Sequence, residues 1–208
     1  MTTTNHILEI EQLGQSIWMD NLTRDLIQSG ELQRLIETRG LRGITSNPAI
    51  FEKAIAGNKI YDADIEKGAR AGLPTYKIYE SLVFEDIRNA CDMFRPSYEE
   101  SNGLHGYISI EVPPTIAHDT QATIEEARRY YQEIGRENVM IKIPGTSAGL
   151  PAVEQVIADG INVNVTLLFS VDSYVNCFWA YIKGLEKRAA EGKDISNIAS
   201  VASFFLSR

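Results

Sequence analysis

Lys142 is the residue of this chain whose position most directly implies chemistry. It interrupts an apolar, β-branched run, 139–143, of the kind that forms a strand buried on both faces in a parallel sheet. An unpaired ammonium in a dry interior tends to lose its proton, and a neutral lysine amine attacks carbonyl carbons. The pattern therefore predicts a Schiff-base lysine. The structural alternative is a lysine that extends to solvent or pairs with a carboxylate.

Polar side chains share one face of other predicted strands, because alternate residues of a strand point to opposite faces. Most of them fall late in their strands: Glu111 in 107–112, Asn164 and Thr166 in 161–167, Thr45 and Asn47 in 43–48, and Asp20 in 16–21. The opposite, apolar face of the strand 161–167 is predicted to end at Leu167. Such a distribution favours a sheet with a chemically active inner face.

Helical patterns at 121–134, 148–159 and 171–190 separate the later strands. Strands that alternate with helices indicate parallel strands joined by crossover helices. The predicted fold class is therefore α/β, a (β/α) barrel. In such barrels the active site lies at the carboxyl ends of the strands.

Local signals predict where the helices begin and end. Predicted starts are Ser29, Asn47, a Thr123–Glu126 capping box, Ser147 and Ser170, and predicted stops are Gly40, Arg95–Pro96, Gly135 and Gly160. The helix over 171–190 is predicted to bury one apolar stripe, formed by Val171, Tyr174, Val175, Phe178, Ile182 and Leu185.

The composition narrows the class of protein. A net charge of −8 argues against general binding of nucleic acid or of an anionic membrane. Cys91 and Cys177 lie in apolar helical patterns, so we expect core thiols in a reducing compartment. The three histidines lack metal-ligand spacing, and nucleotide-binding loops are absent from the sequence. We therefore expect a cytoplasmic protein with no metal and no cofactor.

These residues together resemble the transaldolase family over essentially the whole chain. Five motifs occur in the order and spacing of that family: 18–22 (WMDNL), 43–48 (GITSNP), 109–112 (SIEV), 141–144 (IKIP) and 162–170 (NVNVTLLFS). The match is to the longer bacterial members. The resemblance implies a TIM barrel of the class I aldolase type and a metal-free transfer of a dihydroxyacetone unit between sugar phosphates.

The resemblance also implies roles for individual residues. Lys142 matches the Schiff-base lysine, Asp20 the acid/base for the cleaved hydroxyl, and Glu111 with Thr166 the pair that positions a water. Thr45, Asn47 and Asn164 match groups around the dihydroxyacetone unit. Ser207 and Arg208 match substrate and phosphate contacts.

Each role has a structural alternative. Asp20 could be a turn residue, Glu111 a structural partner of the lysine, and Asn47 only a helix cap. Asn162 could satisfy buried backbone groups.

The length departs from the family. A complete barrel of eight strands needs about 250 residues, whereas this chain has 208 and only six recognisable strands. We expect one incomplete barrel domain over 1–208, with a leader over 1–15 and without the seventh and eighth strand–helix units, as in a fragment of a longer protein. Two alternatives stay open: a fructose 6-phosphate aldolase-like lyase, and an inactive fragment that binds sugar phosphates or forms a homo-oligomer.

Overall fold

The computed structural model describes residues 6–207. Its elements divide into two compact units, which separate between Ile108 and Ser109. Within the described residues, six strands form one sheet in the order β1-β2-β3-β4-β5-β6. Parallel strands in chain order, joined by helices, are the architecture of a partial TIM barrel. The predicted α/β fold class with six of the eight strands is confirmed.

The strands are short and follow one another at helix-length intervals. They are β1 (Ile17–Met19), β2 (Leu41–Thr45), β3 (Tyr107–Glu111), β4 (Val139–Pro144), β5 (Val163–Leu168) and β6 (Ser200–Phe204). The helices are α1 (His6–Gln12), α2 (Arg24–Gln28), α3 (Glu31–Arg39), α4 (Pro48–Ile55), α5 (Asp62–Arg70), α6 (Thr75–Glu100), α7 (Thr120–Ile134), α8 (Gly149–Ala158) and α9 (Val171–Ala190). Short 3₁₀ turns cover Lys59–Tyr61 and Pro114–Ile116.

Two helices, rather than the single predicted one, follow β1 in the N-terminal unit. The prediction of a helix start at Ser29 is wrong, since Ser29 ends α2 and α3 begins after Gly30. Helix α2 is capped by Thr23, whose side chain accepts a hydrogen bond from the Leu26 N–H at 3.1 Å. The predicted stop at Gly40 is confirmed, because Gly40 adopts the left-handed conformation (φ 66°) that favours glycine.

Helix α6 continues through Pro96, where the sequence predicts its end. The residues beyond the proline are held by contacts that local signals do not reveal. The Tyr98 ring packs edge-on against Tyr107 with centroids 5.4 Å apart, and Arg95 pairs with Glu99 at 2.6 Å. Packing of this last turn therefore outweighs the helix-breaking tendency of proline.

In the C-terminal unit, β4, β5 and β6 are parallel neighbours. Two predicted caps there are wrong by a few residues. Asp119, rather than Thr123, caps α7 by accepting from the Ala122 N–H at 2.9 Å. Thr146, rather than Ser147, accepts from the Gly149 N–H at 2.9 Å at the start of α8. Asp119 thus satisfies the third N–H of α7 and Thr146 the first N–H of α8.

Leu167 does not continue the buried face of β5. Its φ is +61°, its side chain is exposed, and Leu168 takes the buried position instead. The pairing of β5 with β6 shifts register between Val165 and Leu168. The prediction for Leu167 is wrong because strict alternation fails at a bulge.

The stripe predicted to be buried on α9 is wrong for four of its six residues, whereas Ile182 and Leu185 are half-buried. Val171, Tyr174, Val175 and Phe178 are 42–70% exposed. The buried face of α9 consists of small side chains, Cys177, Ala180 and Gly184. A Cβ added at Gly184 would lie 2.7 Å from Ile157 of α8, so the two helices approach closely through this small face. Close helix packing therefore selects the small residues and leaves the large apolar ones outside.

Candidate active site

Lys142 occupies the interior of β4. Its neighbours Ile141 and Ile143 are fully buried, and Lys142 itself is only 6% exposed. The predicted burial of this lysine is therefore present in the structure. Its amine is not isolated, because Nζ lies 3.2 Å from Oε2 of Glu111.

Glu111 is the last residue of β3, and the chain beyond it is tied to β4. The Val112 N–H donates to the Lys142 carbonyl at 3.1 Å, which places the end of β3 beside the lysine. A carboxylate at this distance is a direct hydrogen-bond partner for the buried amine. Lys142 is therefore buried, as the Schiff-base hypothesis predicts, and also paired with a carboxylate, as its structural alternative predicts. A carboxylate in hydrogen-bond reach can also accept the proton that the amine must lose before it attacks a carbonyl.

Asn164 lies beside Lys142 on the neighbouring strand, since the two residues are paired in the β4–β5 register. Its carboxamide is held on both sides. Nδ2 donates to the Ser109 hydroxyl at 3.0 Å, and Oδ1 accepts from the Ser203 hydroxyl at 2.8 Å. Thr166 is buried two positions further along β5, opposite Pro144. Four predicted site residues thus lie on adjoining strands of one unit.

Ser109 and Ser203 join this cluster without having been predicted as site residues. Ser109 shares the face of Glu111 by parity on β3, which was the available signal. Ser203 could not be found this way, because its contact with Asn164 depends on the pairing of β6 with β5.

Asn162, by contrast, serves the backbone. Its Nδ2 donates to the Glu137 carbonyl at 2.8 Å, and its Oδ1 accepts from the Ala199 N–H at 2.9 Å. Asn162 therefore satisfies backbone groups, which is the structural alternative that the sequence left open.

Three predicted site residues lie in the N-terminal unit. Asp20 is exposed and directly follows β1. Thr45 ends β2, and its buried hydroxyl makes no hydrogen bond within residues 6–207. A buried hydroxyl without a partner is costly, so this position suits a ligand or a water that would satisfy it.

Asn47 is a helix cap, as its alternative reading proposed. Its Oδ1 accepts from the Ile50 N–H at 3.0 Å, and Pro48 occupies the first turn of α4. The cap engages the carboxamide oxygen and leaves the amino group of the same side chain as a donor. Capping and substrate binding are therefore compatible at this residue.

The remaining predicted contacts are at the end of the chain. Ser207 follows β6 and is exposed. Arg208 lies outside the described residues, as do residues 1–5 of the predicted leader.

A family model described as Transaldolase/Fructose-6-phosphate aldolase matches residues 17–208. The chain belongs to this family. The matched residues include every described site residue. The predicted resemblance to the transaldolase family is therefore confirmed.

Curated transaldolases are similar to it over nearly its whole length. "Transaldolase 2" of Nostoc sp. (strain PCC 7120 / SAG 25.82 / UTEX 2576) is 82% identical over 204 residues, which are 98% of this chain and 54% of the relative. "Transaldolase 2" of Nostoc punctiforme is 80% identical over 206 residues, 99% of this chain and 54% of the relative. "Transaldolase" of Mycobacterium ulcerans is 45% identical over 203 residues, 98% of this chain and 54% of the relative. The chain thus spans about half the length of these relatives.

Proposed function

We propose that this protein is a transaldolase. It would move a dihydroxyacetone unit from a ketose phosphate, sedoheptulose 7-phosphate or fructose 6-phosphate, to glyceraldehyde 3-phosphate or erythrose 4-phosphate. This is a reaction of the non-oxidative pentose phosphate pathway. The observation that carries the proposal is the buried Lys142 amine, 3.2 Å from the Glu111 carboxylate, in a chain similar to named transaldolases.

Schiff-base formation is the first chemical stage. The Lys142 ammonium gives a proton to Glu111, and the amine attacks the ketose carbonyl carbon. The resulting carbinolamine loses its hydroxyl as water when Glu111 returns the proton, which leaves a protonated imine. By resemblance, Thr166 helps Glu111 to position this water. The 3.2 Å distance suits a single proton donor and acceptor for both steps.

Carbon–carbon cleavage is the second stage. Asp20, by resemblance, takes the proton of the substrate hydroxyl next to the bond that breaks. The electron pair of that bond moves into the protonated imine and gives an enamine on Lys142, while an aldose phosphate leaves. The reverse steps with a different aldose phosphate complete the transfer. The mechanism uses side chains alone, with no metal or cofactor.

Beside Lys142, Asn164 is oriented by Ser109 and Ser203 and would bind a substrate hydroxyl. By resemblance, the buried Thr45 hydroxyl, which makes no hydrogen bond within residues 6–207, would bind another hydroxyl of the dihydroxyacetone unit. Such groups reject analogues that lack a hydroxyl, because the protein side would then stay unpaired. By resemblance, Asn47 would donate to the dihydroxyacetone unit, and Ser207 and Arg208 would contact substrate and phosphate.

The proposed partners are sugar phosphates, without nucleic acid or membrane, in the cytoplasm. Among the helices of the described residues, none is long and apolar enough to cross a membrane. A homo-oligomer remains part of the proposal, since α9 exposes several large apolar side chains. The assignment of residues 1–208 to one incomplete barrel domain also stays a prediction.

The family description favours one second candidate, a fructose 6-phosphate aldolase, which releases dihydroxyacetone instead of transferring it. The fate of that unit distinguishes the two. The protein is given fructose 6-phosphate with and without erythrose 4-phosphate, and free dihydroxyacetone and sedoheptulose 7-phosphate are measured. A transaldolase gives sedoheptulose 7-phosphate and little dihydroxyacetone. Release of dihydroxyacetone regardless of acceptor would replace the proposal with the aldolase.

A further inference from the structure

Arg24 is a buried arginine in the N-terminal unit, at the first position of α2 and only 4% exposed. Its Nε donates to Oδ1 of Asp86 at 2.8 Å, and its Nη1 donates to Oδ2 of Asp64 at 2.5 Å. Its guanidinium carbon lies 4.5 Å from the centre of the Tyr61 ring. Two segments of the unit, 59–70 and α6, thus converge on this side chain of α2.

The Tyr61 hydroxyl closes this cluster. It accepts from the backbone N–H of Arg24 at 3.0 Å and donates to Oδ2 of Asp86 at 2.8 Å. Both carboxylate oxygens of Asp86 are therefore engaged, and the arginine is held by its backbone as well as its side chain. We call Arg24, Tyr61, Asp64 and Asp86 the Arg24 clamp.

Stability alone does not explain this cluster. Tyr61 and Asp86 are fully buried, and burial raises the pKa of Asp86 although Arg24 opposes the shift. Burying paired charges costs desolvation energy, and apolar residues of the same volume often stabilise a protein as well or better. What hydrogen-bonded charges can add is a fixed local geometry.

The segment next to the clamp is the one that carries Asp20. Before it, Met19 ends β1, paired with Ile44 of β2. After it, Leu22 is fully buried and Arg24 is fixed by the clamp. Asp20 itself is exposed on this short segment, which is anchored on both sides.

We propose that the Arg24 clamp positions the Asp20 carboxylate, with Tyr61 and Asp86 as positioning residues for carbon–carbon cleavage. The proposal rests on the proposed acid/base role of Asp20. Fixing that carboxylate before substrate arrives serves proton transfer, which is sensitive to small displacements of the reacting groups. The clamp residues themselves do not touch the substrate.

The test uses Tyr61→Phe, which removes the shared hydroxyl and keeps the ring against the guanidinium. Tyr107→Phe is the matched control, because Tyr107 is another buried tyrosine of the unit whose hydroxyl donates to the Gly103 carbonyl at 2.6 Å. Amide hydrogen exchange at residues 20–24 should become about tenfold faster in Tyr61→Phe, as expected for one lost hydrogen bond. It should not change there in Tyr107→Phe.

Kinetics then separate positioning from general loosening. In Tyr61→Phe, cleavage of fructose 6-phosphate should fall about tenfold, while the borohydride-trapped adduct on Lys142 forms within about twofold of the wild-type rate. Asp20→Asn gives the reference pattern, with cleavage lost and the adduct retained. The split is expected because adduct formation uses Glu111 and cleavage uses Asp20.

Two results would overturn the clamp proposal: unchanged exchange at residues 20–24, or adduct formation and cleavage falling together. Absence of any adduct in the wild-type protein would instead overturn the proposed function, and hydrogen exchange would still decide on the clamp. If Tyr61→Phe does not fold, Asp64→Asn weakens the same clamp at its half-exposed edge and is measured in the same way.

Discussion

The Nζ atom of Lys142 lies 3.2 Å from Oε2 of Glu111, and both atoms belong to adjoining strands of the C-terminal unit. This distance allows direct proton exchange between the two side chains. It also means that a change at either residue alters the surroundings of the other side chain.

Glu111→Gln should slow Schiff-base formation without removing the nucleophile. The amide keeps the shape of the carboxylate but cannot accept the proton of the ammonium. The rate of borohydride-trapped adduct formation should fall by about 100-fold or more. Glu137→Gln, a change outside the site, should leave the rate unchanged. A wild-type rate in Glu111→Gln would assign the proton transfer to another group.

The ion pair that joins Glu11 of α1 to Arg42 of β2 should weaken in acid. The hydrogen bond from Arg42 lowers the pKa of Glu11 below its usual value of 4.5, although burial opposes the shift, and His105 lies 3.3 Å from the same carboxylate. A carboxylate with a lowered pKa in the folded state contributes stability above its ordinary pKa, and this contribution is lost as the pH falls through the lowered value. The expected loss is about 1 kcal/mol or less.

Hydrogen exchange within α1, followed between pH 6 and pH 3, measures this loss. Glu11→Gln should start with weaker protection and show a flatter pH dependence, because the titrating group is gone. Equal pH dependence in both proteins would mean that Glu11 does not hold α1.

The two cysteines should be slow to react in the folded protein. Both are buried, and burial raises the pKa of the Cys177 thiol to about 11. At pH 8 only about one molecule in a thousand would carry this thiolate. Labelling with a thiol reagent should therefore be slow in buffer and fast in denaturant. Fast labelling of Cys177 in the native protein would show that α9 opens locally.

The apolar side of α9 should drive self-association. Val171, Phe178 and Trp179 are each about half exposed or more. Exposed apolar surface of this kind favours association between copies. Sedimentation should show oligomers that grow with concentration, and Phe178→Glu should reduce them. Leu104→Glu, at an exposed apolar residue of the other unit, is the control and should have little effect.

Local signals predicted much of the fold. Asn47–Pro48, Gly40, Gly135 and Ser170 act through their own backbone neighbours, and each begins or ends its helix as expected. Strand parity likewise predicted that Glu111, Asn164 and Lys142 share one face of the sheet, because the side-chain period of a strand depends little on its surroundings.

What the sequence could not show depends on contacts between distant segments. The buried face of α9 is set by its approach to α8, and the turn at Leu167 by the register of β5 against β6. The partners Arg24 and Asp86 are 62 residues apart, so no local pattern connects them. Ser203 entered the site in the same way, through a hydrogen bond across 39 residues.

Covalent trapping at Lys142 tests the central claim most directly. The protein is incubated with fructose 6-phosphate and borohydride, and the modified residue is located by mass spectrometry, with Lys142→Met as the control. Lys142→Met should stay folded, since its volume is nearly conserved. The account predicts one reduced adduct, on Lys142, and none in Lys142→Met. A folded wild-type protein that forms no adduct, or an equal adduct in Lys142→Met, would contradict it.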